Sequence, residues 1–292
     1  MRRIVPLPLV GLALAAACGA PGQRAVVIGS KNFTEQIVLA ELVAQQIERR
    51  AGLRVERRTN LGGTLICHRA LAAGELDLYV EYTGTALMAI LDEPPGSDPR
   101  EVYRRVRDAY RDRFDLEWGE PLGFSNTFAM VVRGEDARRL GLTSISDVAR
   151  RAPDWRAGFG YEFSERPDGL GGLVERYGLR FAEPPRTMDL GLIYRSLRAG
   201  RVDIVAGNST DGLIEALDLA VLEDDLGYFP PYEAAPVVRR DTLAGLPALG
   251  PSLRELGGAI TEEAMRRMNY AVDGQGQDAA AVARRFLETL GP

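Results

Sequence analysis

Histidine and cysteine are nearly absent from this sequence of 292 residues, which contains only His68, Cys18 and Cys67. Zinc cages need several cysteine or histidine ligands, and most nucleophilic triads need a histidine as base. We therefore expect no metal site and no cofactor. His68 lies on a predicted helix away from the strand ends, where a structural role is expected rather than a catalytic one.

Lysine is also scarce, because Lys31 is the only lysine among 36 basic residues. The net charge is −5 and the sequence pI is near 5.2. Nucleic-acid-binding proteins carry a concentrated basic face, so this balance argues against a nucleic-acid partner. With 46% apolar and 26% charged residues, the composition is that of a globular protein.

The one long apolar run is at the N-terminus, where Met1-Arg2-Arg3 precedes Ile4–Ala17. This pattern is typical of a secretory signal and is too short for a membrane span. The small residues directly before Cys18 resemble a bacterial lipobox, which implies cleavage there and lipidation of the Cys18 thiol. The alternative is an ordinary signal cleaved near Ala17. Either way we expect export, with residues 1–17 as signal, residues 18–24 as tether, and lipid as the only membrane contact.

Strands and helices alternate along the rest of the chain. Predicted strands at 25–28, 53–59 and 76–80 are separated by helices, the first of them capped by Asn32 with Glu35, and this βαβαβ order favours a parallel sheet. A second set has strands at 127–132, 157–160 and 202–206, and a strand at 236–239 follows. We expect two α/β lobes, residues 25–125 plus 231–292 and residues 126–230, with a cleft between them.

Polar and aromatic residues gather in the loops that follow these strands, where small ligands usually bind. Lys31 keeps a compact ammonium in a chain that otherwise uses arginine, at a helix start that favours anions. The other loops are 81–85, 124–128, 161–169, 208–212 and 229–232.

Four of these segments resemble one known family. They are the Lys31 loop, 77–85 (DLYVEYTGT), 209–212 (STDG) and 229–236 (FPPYEAAP). The sequence is similar to the substrate-binding proteins of glycine betaine/choline (osmoprotectant) ABC transporters, over about residues 26–290. The resemblance implies a type II periplasmic-binding-protein fold, two α/β lobes with two crossovers, and delivery of solute to a membrane permease driven by an ATPase.

A trimethylammonium group has no N–H donor, so aromatic faces and carbonyl oxygens must hold it. By motif position, the resemblance implies an aromatic box of Tyr82, Phe128 and Tyr232, with the carbonyl of Asn126 near the methyl groups. A carboxylate clamp would use Lys31, Thr85 and Arg166, with Glu162 orienting Arg166. Since unpaired buried cations are costly, two cations in the cleft favour glycine betaine over choline.

Two positions depart from the family pattern. Asn208 stands where relatives often have a cage aromatic, and Phe128 stands where tyrosine is usual. Asn208 has no π-face, so a less methylated or different solute stays open.

The sequence thus predicts a monomeric, lipid-anchored solute receptor of an ABC importer, outside the cytoplasm, and not an enzyme. The expected solute is glycine betaine first, and choline or a related betaine second. The alternatives are the same fold retuned for another small zwitterion or amino acid, or, in a different class, a sensor domain or an enzyme.

Overall fold

The computed structural model describes residues 24–151 and 154–291. The strands are β1 Val26–Gly29, β2 Val55–Arg58, β3 Leu78–Tyr82, β4 Leu116–Trp118, β5 Phe128–Arg133, β6 Ala157–Phe159, β7 Arg186–Thr187, β8 Ile204–Asn208, β9 Leu219–Leu222 and β10 Ala234–Arg239. They form two five-stranded sheets within the described part of the chain, in the orders β2-β1-β3-β10-β4 and β7-β6-β8-β5-β9.

Helices pack around both sheets. In the first half of the chain they are α1 Thr34–Ala51, α2 Thr64–Ala72, α3 Thr83–Thr85, which continues as a π-helix over Ala86–Ile90, α4 Pro99–Phe114, α5 Gly134–Leu140 and α6 Ile145–Ala149. In the second half they are α7 Tyr161–Glu165, α8 Leu170–Tyr177, α9 Leu190–Arg198, α10 Leu213–Ala216, α11 Arg240–Gly245, α12 Leu249–Arg254, α13 Glu262–Asp273 and α14 Ala279–Thr289.

The two sheets are built from different parts of the chain. The first sheet takes four strands from residues 26–118 and then β10, after the chain has completed the second sheet over residues 128–222. The parallel arrangement expected for β1, β2 and β3 is present, whereas β10 runs antiparallel to both β3 and β4. The chain therefore passes between the sheets twice.

Helix α1 forms through its apolar stripe, as expected, but its first turn differs from the prediction. Val38, Leu39 and Leu42 are fully buried on that stripe, which packs against the C-terminal helices α12, α13 and α14. The N-cap position is Phe33 and carries no side-chain cap. The prediction that Asn32 and Glu35 cap this helix is wrong, because Glu35 is buried and bonded elsewhere.

The third strand begins two residues later than predicted. Asp77 directly precedes it, and its carboxylate accepts hydrogen bonds from the Val27 amide at 2.8 Å and the Thr242 hydroxyl at 2.6 Å. Tyr82 is the last residue of β3, and Thr83 starts α3. Strands β4, β7 and β9, at the edges of the two sheets, were not predicted; with three, two and four residues they are too short to show a periodicity.

The core beneath α1 sets the stability of the first sheet. Leu39 is fully buried there, whereas Leu192 on α9 is 52% exposed. Leu39→Ala should lower the free energy of unfolding by about 2–5 kcal/mol, through lost burial and a residual cavity. Leu192→Ala should change it by about 0.5 kcal/mol or less. Urea unfolding followed by circular dichroism measures both, and equal effects would contradict this assignment of the core.

Candidate functional site

A cavity of about 160 Å³ lies between the two sheets. Residues from both sheets and from both passages between them line it. All eight side chains singled out in the sequence are part of that lining, namely Lys31, Tyr82, Thr85, Asn126, Phe128, Arg166, Asn208 and Tyr232. Most of them lie at or just after the end of a strand. They were expected to meet because ligand sites in α/β sheets form at the carboxyl ends of strands.

The two passages are hydrogen-bonded to each other beside the cavity. Ser125 and Glu233 form an antiparallel bridge, and the Asn126 amide donates to the Tyr232 carbonyl at 3.0 Å. The Ser125 hydroxyl accepts from the Tyr232 amide at 3.2 Å. Asn126 and Tyr232 are thus placed in the cavity wall by the segments that connect the lobes.

Aromatic rings form much of the wall. The Phe128 and Tyr232 ring centroids are 6.0 Å apart at 73°, and Phe33 stacks near Tyr82 with centroids 6.4 Å apart. Phe33, Tyr161 and Phe163 also line the cavity but were not among the predicted site residues. They lie in the same loops that the sequence singles out, so their position after a strand was the available signal.

Asn208 lies directly opposite Phe128 in the β5–β8 pairing, and both side chains line the cavity. Its Nδ2 donates to Asp211 Oδ2 at 3.3 Å, and its backbone amide donates to the same oxygen at 3.0 Å. Burial raises the pKa of Asp211 to about 7. The Asn208 amide nitrogen is therefore directed to Asp211. The side chain has no aromatic ring, so it adds no π-face to the cavity wall.

Lys31 is buried in an ion pair. Its side chain is 2% exposed, and Nζ donates to Glu81 Oε1 at 2.5 Å and to Thr64 Oγ1 at 2.9 Å. The same Nζ lies 5.0 Å from the centroid of the Tyr82 ring. Glu81, which is fully buried, also accepts from the Tyr79 hydroxyl at 2.9 Å. The ammonium therefore has an internal counter-charge.

Arg166 is also paired. Its Nε donates to Asp168 Oδ1 at 2.8 Å, its Nη2 donates to Asp168 Oδ2, and Nη2 reaches Thr85 Oγ1 at 3.1 Å. Its Cζ lies 4.9 Å from the Phe128 ring centroid. Nη1 makes no hydrogen bond to any described residue. The assumption that the cleft holds unpaired cations is wrong, and so the argument that they alone require an anionic solute fails.

Glu162 does not orient Arg166, contrary to expectation; Asp168 does. Glu162 Oε1 instead accepts from the Thr64 backbone amide at 2.5 Å, at the start of α2 in the other lobe. Together with the bonds from Arg166 to Thr85 and from Tyr232 Oη to Asp168 Oδ2, this gives three hydrogen bonds that join the lobes beside the cavity. All three would have to break for the two sheets to move apart on this side.

A buried carboxylate that the sequence reading missed lies behind the cavity. Glu35 is 1% exposed, and it accepts from Tyr82 Oη at 2.6 Å and Asn126 Nδ2 at 2.7 Å through Oε1. Through Oε2 it accepts from Thr210 Oγ1 at 2.5 Å and Asn269 Nδ2 at 3.0 Å. Burial raises the pKa of this carboxyl, and the four donors oppose that rise. Through these four bonds Glu35 on α1 connects Tyr82 of β3, Asn126, Thr210 after β8, and Asn269 of α13.

Neither His68 nor Cys67 belongs to the site. His68 packs on the Tyr110 and Phe114 rings, with centroids 5.5 and 4.7 Å away, as a structural residue would. Cys67 is buried and forms no disulfide in the described part of the chain. Among residues 24–151 and 154–291, no group of three or more His, Cys, Asp or Glu side chains is arranged to hold a metal ion.

Within those residues, no helix is both long enough and apolar enough to cross a membrane. The expected signal at 1–17 and the lipidated Cys18 lie outside the described residues.

The architecture defined above is that of a two-lobed solute receptor with its ligand cleft between the lobes. Residues 24–289 match the family described as the substrate binding domain of ABC-type glycine betaine transport systems. The chain therefore belongs to this family of extracytoplasmic substrate-binding proteins, which act with an ABC permease and its ATPase and are not enzymes.

Individual relatives agree with this assignment. The chain is 32% identical over 279 residues to the carnitine transport binding protein OpuCC of Listeria monocytogenes, covering 93% of this chain and 90% of that protein. It is 34% identical over 297 residues to a glycine-betaine-binding protein of Pseudomonas aeruginosa, covering 98% and 94%. A solved structure titled as a glycine betaine/carnitine/choline ABC transporter matches with a TM-score of 0.75 and 34% identity, covering 90% and 98%. The predicted type II periplasmic-binding-protein fold is confirmed.

The buried ion pair between Lys31 and Glu81 makes a prediction about stability. Removing one partner leaves the other charge buried without a counter-charge, so Lys31→Met and Glu81→Gln should each lower the free energy of unfolding by about 3–5 kcal/mol. The double variant should lose less than the sum of the two. Urea unfolding of all four proteins measures this coupling, and strictly additive losses would show that the pair is not an energetic unit.

Proposed function

We propose that this protein binds a quaternary-ammonium compatible solute, glycine betaine first and choline or a related betaine second, and delivers it to its permease. The observation that carries the proposal is the convergence of Tyr82, Phe128 and Tyr232 on one cavity. The two tyrosine hydroxyls are bonded to carboxylates, so the rings take part chiefly through their π-electrons. Each desolvated cation–π contact contributes up to about 2 kcal/mol.

The opposite end of a betaine is a carboxylate, and Arg166 with Thr85 supplies its proposed contact. Asp168 fixes the guanidinium through two of its nitrogens, while Nη1 keeps its donors free of partners among the described residues. Thr85 Oγ1 accepts from Arg166 at 3.1 Å, and its own hydroxyl proton is available for a carboxylate oxygen. In this proposal Lys31 contributes mainly through its position and charge, because its Nζ already donates two hydrogen bonds, to Glu81 and Thr64.

The names of the relatives support a zwitterion over choline. Carnitine and glycine betaine, which name two of them, each combine a trimethylammonium group with a carboxylate. This support replaces the argument from unpaired cations.

Asn208 favours a second candidate, the same receptor retuned for another small zwitterion or an amino acid. A side chain that lines the cavity opposite Phe128 and carries an amide oxygen can accept a hydrogen bond that a trimethylammonium group cannot donate. Proline and amino acids carry N–H donors, so they represent this class.

Export and anchoring complete the proposal. Cys18 would carry the lipid, on the sequence evidence alone. The lobes, taken as residues 25–125 plus 231–292 and residues 126–230, would close around the solute by rotation at the two hydrogen-bonded passages, near Thr127 and Pro230. Hinge closure of this kind is common among binding proteins.

Calorimetric titration of the purified protein with glycine betaine, choline, proline and arginine tests the proposal. We expect betaine to bind more tightly than choline. Choline binding alone would remove the carboxylate clamp and keep the aromatic box. Binding of proline or arginine with no response to either methylated solute would favour the second candidate.

Asn208→Tyr should tighten binding of glycine betaine, because it adds a π-face beside Phe128; one added contact of up to about 2 kcal/mol corresponds to an affinity gain of up to about thirtyfold. Asn208→Leu is the matched control, since it adds apolar volume without a π-face and should not tighten binding to the same extent. Equal effects of the two substitutions, or a loss in both, would indicate that no cage wall exists at this position.

A further inference from the structure

The two tyrosines of the proposed box share one arrangement. Tyr82 Oη donates to Glu35 Oε1 at 2.6 Å, and Tyr232 Oη donates to Asp168 Oδ2 at 2.6 Å. Both carboxylates are buried. Each tyrosine therefore lines the cavity, and its hydroxyl donates to a carboxylate that is not part of the lining.

The two carboxylates differ in their charge environment. Asp168 is neutralised by Arg166, and the nearby Glu81 is neutralised by Lys31. Glu35 forms no salt bridge with any described residue, and its four hydrogen-bond donors are all uncharged groups. Of the two carboxylates bonded to the box tyrosines, Glu35 is thus the one whose negative charge is not balanced by a cation in a salt bridge.

A quaternary ammonium ion cannot use such a carboxylate directly, because it has no proton to donate. A phenol that donates to a carboxylate is polarised by it, since hydrogen-bonded groups polarise one another in a low-dielectric interior. The shift of electron density toward the ring strengthens its negative face, and the attraction between a ring and a cation depends on that face. Glu35 is placed to act on a cation in this way without touching it.

We propose that Glu35 makes the box selective for cationic solutes, acting through the Tyr82 hydroxyl. This inference rests on the proposed function. Glu35 is a positioning residue, absent from the cavity lining, and its second role is to hold Tyr82 and Asn126 in the wall. The two roles differ in what they predict, because placement of the ring affects every solute of a given shape, whereas polarisation of the ring affects only a charged one.

The test compares glycine betaine with 3,3-dimethylbutanoate, which has the same shape but a carbon atom in place of the cationic nitrogen. We expect Glu35→Gln to weaken betaine binding by about threefold to tenfold, because the ring remains and only the part of the cation–π contact that its polarisation supplies is lost. Binding of 3,3-dimethylbutanoate should be unchanged or slightly tighter. Titration of betaine, and competition of the isostere against it, gives both dissociation constants.

Two further variants test whether Glu35 acts through the Tyr82 hydroxyl and whether its negative charge is what matters. In a Tyr82→Phe background the ring remains but the hydroxyl link is gone, so Glu35→Gln should there cost clearly less than in the parent. Thr210→Val removes another donor to Glu35, outside the cavity, and leaves the charge in place. It should preserve the ratio of the two dissociation constants.

Equal losses for the two solutes in Glu35→Gln, or an unchanged loss in the Tyr82→Phe background, would overturn the inference and leave the proposed function intact. Absence of binding of both betaine and choline to the parent protein would remove the proposed function, and with it this inference.

Discussion

Buried carboxylates that lie directly behind the cavity wall hold most of the polar side chains of this cleft in place. Glu81 fixes Lys31, Asp168 fixes Arg166 and Tyr232, and Glu35 fixes Tyr82 and Asn126. A buried charge is tolerated only when it is paired or well supplied with hydrogen bonds. Each acid is therefore surrounded by hydrogen-bond partners, and the partners named here are residues that line the cavity.

This arrangement also separates the charges of the site from water. Lys31 and Arg166 meet their counter-ions inside the protein, so an empty cleft does not expose an uncompensated charge. In the proposed binding mode the solute would meet rings and a few directed donors rather than two free cations. A zwitterion suits such a surface, because it brings equal and opposite charges and adds no net charge to the interior.

The sequence was sufficient to predict eight residues of the cavity wall, because strand ends, loop composition and family motifs all point to the same loops. It was insufficient to predict what lies behind them. Glu35 has the appearance of a capping residue three positions after Asn32, yet it shares the helical face of Val38, Leu39 and Leu42, and that spacing was the available sign of burial. The pairing of Arg166 with Asp168 depends on side-chain direction in a loop, which no periodicity reports. The antiparallel return of β10 likewise depends on contacts between residues more than a hundred positions apart.

The burial of Lys31 has a practical consequence for studying how the molecule opens. A protease specific for lysine has one place to cut in the whole chain, because no second lysine exists. In the folded state that place is 2% exposed and lies at the junction of β1, α2 and β3. Cleavage therefore requires local or global unfolding around the start of α1, and when opening is fast its rate follows the population of the opened state. Cleavage at Lys31 by such a protease gives two products. Its rate therefore measures the stability of the segment around the start of α1, which forms part of the cleft.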